Sequence, residues 1–369
     1  MKYLLFIFSI SILFFSCSKS IKRGNLLEIF VNIDQETPLS LSEITEELTA
    51  IDLELTAKSL INIDKIKRII TFENIIIITE INKILIFGKD GKFIRSIGSK
   101  GQGPGEYNFI MNLTVDDKNK HIFISSSSPG KIICYDLTGK FIKEIVTNSI
   151  FDNVVDINFI NNDLLIIDQK MDGHNEMGKF TSISTLYRLN DNFAVIDSFL
   201  IRKTYDNSIL GFNYTDFILK RNETVYLYCH EFYPKELAPR EIILRDTLYC
   251  YKENRLVPEL KLKFKNDGID NAGNKFIDPY NIYRSSRYVF SFYENYLNET
   301  KYYFCYDINN GKQYNIRKGY SDNINGIDKP ITIRPFNNDT ETFYYLYTHM
   351  KPGDLEEPNP TLYIGKLKK

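Results

Sequence analysis

The stretch KILIFGKDGKFIRSIG, residues 83–98, decides the fold because a later stretch repeats it. Residues 131–146 read KIICYDLTGKFIKEIV, and seven of sixteen positions are identical when the two are aligned at an offset of 131 − 83 = 48 residues. Each stretch contains two apolar runs separated by a turn that ends in Gly-Lys, which is the pattern of a β-hairpin. Each is preceded by another strand-like run, NIIIITE or HIFISSS. The repeated unit therefore contains at least three successive strands.

Fainter copies of this unit continue along the chain, with polar turns at residues 190–192, 253–254 and 309–312. Units of about 50 residues with about four strands each have the size of a propeller blade. About six such units fit into residues 50–367. A closing strand in NPTLYIGKLKK would share a blade with an early strand in LTAIDLEL. Helical periodicity is limited to residues 39–48, where Ser40 or Ser42 would cap a short turn.

The N-terminus has the features of an export signal. Residues 1–16 are mostly apolar, too short to span a bilayer comfortably, and are followed by Cys17. This arrangement resembles a bacterial lipoprotein signal, which implies cleavage before Cys17 and a membrane partner through lipid on that residue. We expect residues 17–25 to be the lipidated cysteine and a tether, and residues 26–369 to be a single domain.

Charge and cysteine content exclude some functions and leave one pairing open. The chain has 46 Lys and Arg against 47 Asp and Glu, so nothing favours a nucleic-acid partner. Cys134, Cys250 and Cys305 lie at similar places in different units, too far apart for disulfides. We expect buried free thiols, although Cys229 remains a plausible partner for Cys250.

The segment GKFIRSIGSKGQGPGEYNF, residues 91–109, resembles the signature of the six-bladed β-propeller lipoproteins of Bacteroidetes, which are related to NHL-repeat propellers. Residues 41–55, 245–264 and 359–369 resemble further segments of that family. The resemblance implies an all-β, six-bladed propeller of four-stranded antiparallel blades, with its ring closed by the N- and C-terminal strands. It also implies the cell envelope, most simply the outer membrane. Basic residues follow Cys17 where surface export uses an acidic tract, so the periplasmic face is favoured.

The GQGPGE loop of this segment, residues 101–106, has two interpretations. It lies between one hairpin and the first strand of the next unit, so we expect a corner between blades, with Glu106 accepting backbone N–H groups. The alternative is a backbone cradle for an anion or a sugar carboxylate. It is not a phosphate-binding P-loop, since it lacks the Gly-Lys-Ser/Thr ending and a following helix.

No recognisable motif points to catalytic residues, a cofactor or a resident metal. The HEFYP segment lacks the second His of a zinc-protease helix, and no nucleophile elbow is present. Four long insertions rich in aromatic and polar residues, at 168–182, 229–242, 265–288 and 349–360, are predicted to converge on one face. The candidate ligand-face residues are His174, Glu176, His230, Tyr233, Arg284 and His349.

These observations favour a non-catalytic binding module in the cell envelope that recognises a protein partner or a glycan or peptide ligand on one propeller face. One alternative is a propeller-type lyase or hydrolase with a site in the central funnel, and another is a purely structural scaffold for envelope assemblies. An open cleft lined with Tyr and Phe would favour the glycan or peptide, and a flat apolar patch would favour a protein.

Overall fold

Strands make up most of the secondary structure, as the alternating apolar pattern predicts. The computed structural model describes residues 20–23, 26–147, 150–174, 180–206, 217–228, 246–253, 255–268, 270–271, 276–350 and 357–369. The helices in this part of the chain are α1 (Leu41–Ile44) and two 3₁₀ turns, Ile63–Lys65 and Lys265–Gly268. None of these described helices is long and apolar enough to cross a bilayer.

The strands form a succession of antiparallel sheets in chain order. Three strands come first: β1 (Ser20–Arg23), β2 (Leu26–Phe30) and β3 (Thr45–Asp52). Sheet 1 contains β4 (Ile66–Phe72), β5 (Ile75–Glu80), β6 (Lys83–Gly88) and β7 (Phe93–Ile97). A short parallel pair follows, β8 (Ser99–Lys100) and β9 (Glu106–Tyr107). Sheet 2 contains β10 (Phe109–Asp116), β11 (His121–Ser127), β12 (Lys131–Asp136) and β13 (Phe141–Val146).

The later sheets repeat this arrangement. Sheet 3 contains β14 (Val154–Ile160), β15 (Asp163–His174), β16 (Phe180–Leu189) and β17 (Val195–Asp206). Sheet 4 contains β18 (Ile218–Arg221), β19 (Thr224–Leu227), β20 (Thr247–Lys252) and β21 (Arg255–Lys263). Sheet 5 contains β22 (Ile277–Arg284), β23 (Tyr288–Asn295), β24 (Thr300–Asp307) and β25 (Gln313–Ile316). The pair β26 (Tyr320–Asp322) and β27 (Ile327–Ile331) precedes sheet 6, whose own strands are β28 (Arg334–Phe336), β29 (Asp339–Tyr347) and β30 (Thr361–Leu367).

Two sheets take strands from the N-terminal part of the chain. The fourth strand of sheet 6 is β3, which pairs antiparallel with β30, so the predicted sharing of one sheet by both ends of the chain is confirmed. Sheet 4 gains β2, which runs parallel to β21, and then β1. Residues 20–23, predicted as part of the tether, therefore lie in a strand. The short helical turn predicted near Ser40 is α1, and β3 follows it directly.

The hairpin turns explain the sequence repeat. The amide of Gly91 donates to the carbonyl of Gly88 at 2.9 Å, and Gly91 has φ +80°. Gly139 makes the same bond to Asp136 at 3.0 Å, with φ +87°. This is the loop in which a turn is followed by a residue in the left-handed region, where Gly adopts positive φ without strain. The Gly-Lys signal thus marks the same turn in successive sheets.

Hydrophobic layers join neighbouring sheets. Separate clusters connect sheets 1 and 2, sheets 2 and 3, and sheets 3 and 4. A large cluster joins sheets 4, 5 and 6, and a further one joins sheet 6 to sheet 1. Successive four-stranded antiparallel sheets packed face to face are the organisation of a β-propeller. Cys134, Cys250 and Cys305 are free thiols buried in these layers, as expected. Cys229 lies outside the described residues.

Candidate functional site: a central aromatic cavity

The GQGPGE loop is a structural corner between sheets 1 and 2. The amide of Gly103 donates to the carboxylate of Glu106, and that of Gly105 donates to Glu144, both at 2.9 Å. The ammonium of Lys131 binds the carbonyls of Gln102 and Gly103 at 3.1 and 2.7 Å. The amides of Gly103 and Gly105 are therefore already bound to carboxylates of the chain and are not available to an anion. The corner interpretation is confirmed, including the role predicted for Glu106, and the geometry does not favour the anion cradle.

Close packing makes glycine necessary in this corner. A Cβ atom at Gly98, which has φ +63°, would lie 2.6 Å from the ring of Tyr107 and 2.6 Å from the hydroxyl of Tyr135. The hydroxyl of Tyr107 donates to the carbonyl of Ile97 at 2.6 Å, and the hydroxyl of Tyr135 donates to the carbonyl of Gly105 at 2.8 Å. The glycines and tyrosines of this segment therefore hold sheets 1 and 2 together and do not form a ligand site.

The first strands of four sheets share a bulge that places a polar side chain. In sheets 1, 2, 3 and 5 the pairing register shifts by one residue in β4, β10, β14 and β22. The unopposed residues are Lys67, Met111, Val155 and Tyr280, and the residues that follow them are Arg68, Asn112, Asp156 and Asn281. Such bulges bend a strand and redirect its side chains. The same position is therefore polar in four sheets.

Three of these polar residues form a buried network. The guanidinium of Arg68 lies 2.9 Å from the carboxylate of Asp156, and their side chains are 1% and 0% exposed. The amide nitrogen of Asn112 donates to the same carboxylate at 2.8 Å. The other carboxylate oxygen accepts the amides of Phe217 and Ile218 at 3.1 and 2.9 Å. The network joins the first strands of sheets 1 to 4, and each of its buried charges is paired with an opposite charge.

The fourth polar residue, Asn281, lines a cavity of about 560 Å³. The first strands of sheets 1, 4, 5 and 6 contribute to its wall, together with β23, β24 and β26. Six aromatic side chains line it: Tyr280, Tyr283, Phe290, Phe292, Tyr303 and Tyr320. The volume lies within the range of small-molecule sites, about 300–1,000 Å³.

The aromatic rings form a continuous wall across sheet 5. The centroid of the Phe292 ring lies 5.4 Å from that of Tyr280 and 5.0 Å from that of Tyr303. The ring of Tyr303 lies 6.1 Å from that of Tyr320. Phe292 and Tyr303 are directly opposed on neighbouring strands, so the pleat brings their rings together. Tyr280, Phe292 and Tyr303 are half-buried, which leaves part of each ring accessible.

Polar groups lie among these rings. The side-chain oxygen of Asn281 accepts the amide of Phe292 at 2.7 Å, and its NH₂ group has no partner among the described residues. The hydroxyl of Thr332 donates to that of Tyr303 at 2.9 Å. Two basic residues, Lys67 and Arg334, also line the cavity, and its described wall contains no Asp or Glu. The cavity thus combines accessible aromatic surface, hydrogen-bonding groups and positive charge.

The structure does not bring the predicted ligand-face residues together into a described site. His174 ends β15 and pairs with Phe180, so the polar loop predicted there is largely an extension of the β15–β16 hairpin. Arg284 binds Glu259 at 2.6 Å, and the exposed His349 lies 2.7 Å from the hydroxyl of Tyr363. Neither lines the cavity. The remaining candidates, Glu176, His230 and Tyr233, lie outside the described residues.

The insertion predicted at residues 265–288 is in part a strand rather than a loop, which corrects the prediction for that part. Its residues 277–284 are β22, whose Tyr280 and Asn281 line the cavity. The aligned first strands, IKR, IMN, VVD and PYN, carry a sequence signal for these positions, since a polar residue recurs at one place. Only the last of these four residues, Asn281, lines the cavity. Among the described residues, no group of three or more His, Cys, Asp and Glu is placed to hold a metal ion.

A family model matches almost the whole chain, over residues 26–368. The chain belongs to the DUF4934 family. The description of this DUF4934 domain is a domain of unknown function, and no curated protein matches the chain. The match begins at β2 and ends one residue before the C-terminus, so the cavity and every described strand except β1 lie inside the DUF4934 domain.

The DUF4934 domain is also similar to solved structures. A predicted exported protein of Bacteroides fragilis shares 17% sequence identity with it and has a TM-score of 0.63, covering 93% of this chain and 100% of that one. This likeness concerns the fold. Weaker similarities include the WD40 domain of Neurospora crassa Pan2, with 10% identity, 82% and 76% coverage of the two chains and a TM-score of 0.41. Pyrococcus horikoshii acylaminoacyl peptidase has 13% identity, 83% and 52% coverage and a TM-score of 0.42.

Proposed function

We propose that this protein is a lipid-anchored envelope propeller that binds an oligosaccharide in its central aromatic cavity without catalysing a reaction. The observation that carries the proposal is the wall formed by Tyr280, Phe292 and Tyr303, with polar groups between accessible rings. A sugar ring has a face of C–H groups and a rim of hydroxyls. The aromatic faces are electron-rich and attract the C–H face, while amide and hydroxyl groups bind the rim.

The proposed architecture is a closed ring of six blades, one for each of sheets 1 to 6. Its support is the order of the hydrophobic clusters, which link each sheet to the next and sheet 6 back to sheet 1. The pairing of β3 with β30 would close the ring, as in the Bacteroidetes lipoprotein propellers and their NHL-like relatives. In such a ring the cavity lies on the central axis, where the first strands of several blades meet.

The proposed location is the outer membrane, on its periplasmic face, with lipid on Cys17. The apolar segment that ends at Cys17 supports this, as does the likeness to an exported Bacteroides protein. The strand β1 begins three residues after Cys17, so the anchor would hold the outer edge of sheet 4 near the bilayer. A binding protein in this position would meet glycans that enter the envelope.

The test is calorimetric titration of the mature chain with a panel of neutral and acidic oligosaccharides and short peptides. We expect binding to at least one oligosaccharide class, and loss of that binding in Phe292→Ala, because this ring is the centre of the aromatic wall. Phe109→Ala is the matched control, since Phe109 is an exposed aromatic residue on β10 that does not line the cavity. Tyr303→Phe separates stacking from the hydroxyl contact.

The outcomes are distinct. Binding that survives Phe292→Ala, or binding of peptides alone, would contradict an oligosaccharide site in this cavity. Mass spectrometry of the same mixtures tests the absence of catalysis. Shortened or unsaturated sugar products would show that the protein is instead a hydrolase or a lyase.

A further inference from the structure

We propose that the oligosaccharide bound in the cavity is anionic, and that the guanidinium of Arg334 binds its acidic group beside Lys67. This inference rests on the proposed function and names the ligand class of the same site. The two residues come from β28 of sheet 6 and β4 of sheet 1, which share a hydrophobic cluster. Both line the cavity that holds the aromatic wall.

Arg334 differs from most arginines of the described chain. Its side chain is exposed and makes no hydrogen bond or ion pair with any described residue. By contrast, Arg68, Arg284 and Arg287 each bind a carboxylate of the protein, at 2.9, 2.6 and 2.7 Å. The hydrogen-bonding capacity of Arg334 is therefore available to a ligand, at the edge of a wall that would bind a sugar.

The second cation of the cavity lies at the bulge in β4. The pairing register skips Lys67, between Ile66 and Arg68, and this residue is half-buried. Lys67 lines the cavity, while Arg68 belongs to the buried network with Asp156.

The described wall of the cavity contains no Asp or Glu that could bind Arg334. Glu294, on β23, accepts the hydroxyl of Tyr280 at 2.7 Å and does not line the cavity. Burial, together with hydrogen bonds that involve Tyr296 and Glu294, raises the pKa of Tyr280 far above its ordinary value. This phenol stays neutral and adds no negative charge to the wall.

The chemistry of the site suits a carboxylate or a sulfate on a sugar. The planar guanidinium donates two parallel hydrogen bonds to two oxygens of one acidic group, and the ammonium of lysine adds a mobile point charge. A neutral sugar would stack equally well on the aromatic wall but would leave Arg334 without an anionic partner.

The experiment compares matched ligands on the full mature chain. Calorimetry would measure binding of a uronic-acid oligosaccharide and its carboxyl-reduced form, and of a sulfated oligosaccharide and its desulfated form. We expect one acidic ligand to bind about tenfold or more tightly than its neutral counterpart, because bonds to charged groups are the stronger ones. That preference should fall as the salt concentration is raised from about 0.05 to about 0.5 M.

Two variants test whether Arg334 causes the preference for the acidic ligand. Arg334→Gln should abolish the preference and leave the affinity for the neutral sugar within about twofold. Arg255→Ala should change neither affinity, since it removes one exposed positive charge at the start of β21, away from the cavity. A preference for the carboxylate or for the sulfate identifies which acidic group is bound.

The results separate this inference from the proposed function. Equal binding of acidic and neutral sugars, lost in Phe292→Ala, would overturn the anionic assignment and retain the sugar site. An acidic preference that persists in Arg334→Gln would overturn the role of Arg334. Absence of binding to every oligosaccharide would overturn both proposals.

Discussion

Breaking the buried ion pair between Arg68 and Asp156 should destabilise the whole domain. Arg68→Met retains most of the side-chain volume but leaves the Asp156 carboxylate without its cation. Removing one partner of a buried pair costs about 3–5 kcal/mol in the free energy of unfolding. We expect a cost of about 3 kcal/mol, the lower end of that range, because Asp156 keeps hydrogen bonds from Asn112 and from two backbone amides.

The reciprocal variant should be at least as costly. Asp156→Asn leaves the guanidinium of Arg68 buried without a counter-ion, so we expect about 3–5 kcal/mol. We expect the double variant to cost less than the sum of the two single variants, by about 2 kcal/mol or more. The second change removes the charge that the first change leaves buried without its counter-ion. Urea unfolding followed by far-ultraviolet circular dichroism measures all three values.

A surface pair provides the control. Glu73 and Lys120 form an ion pair between sheets 1 and 2, with side chains 57% and 45% exposed. Such pairs contribute about 0–1 kcal/mol, so Lys120→Met should have a small effect. If Arg68→Met cost no more than Lys120→Met, or if the costs of the two buried changes were additive, a stabilising role of the buried ion pair would be contradicted.

Three further predictions concern the corner, the pH dependence and the thiols. Gly98→Ala should cost about 2 kcal/mol or more in urea unfolding, because the left-handed backbone and two tyrosine rings leave no room for a methyl group; a neutral result would contradict the packing of the corner. Burial alone would raise the pKa of Asp322, but hydrogen bonds from Tyr345 and neighbouring groups lower it. The ionised carboxylate therefore stabilises the folded protein at a pH above the pKa of Asp322 in the unfolded chain. This stabilisation is lost as the pH falls through the lower pKa of the folded state. The stability difference between wild type and Asp322→Asn should therefore shrink when unfolding is measured below about pH 4, and a constant difference would argue against it. Burial raises the pKa of the Cys134 thiol to about 12 and that of the Cys305 thiol well above its ordinary value. Peptide mapping should therefore find both thiols unlabelled by iodoacetamide in the native protein and labelled in guanidinium. Rapid labelling of the native protein would show that the thiols are accessible.

The repeated hairpins could be predicted because their signals are local. Gly91 and Gly139 each occupy a turn that only a few residues determine, and the flanking apolar runs follow the period of a strand. The pairing of β3 with β30 was predictable as well, since one repeat lacked a strand that the other end of the chain supplied.

The cavity could not be predicted from the same local signals. Tyr280 lines it because β22 contains a bulge, and a bulge depends on how a strand pairs with its neighbour rather than on its own sequence. Arg68 and Asn281 follow bulges in the same way, yet one is bound to Asp156 and the other borders open space. That difference arises from which sheets approach each other, and the polar segments around His174 and His349 carry no signal of it.

The most direct test of the account is a crystal structure of the mature chain soaked with the oligosaccharide that binds most tightly. We predict density for a sugar ring against Phe292 and Tyr303, with its acidic group at Arg334. Density for the sugar at the loops of the rim, or a cavity filled by the protein's own side chains, would contradict binding of the ligand among the first strands.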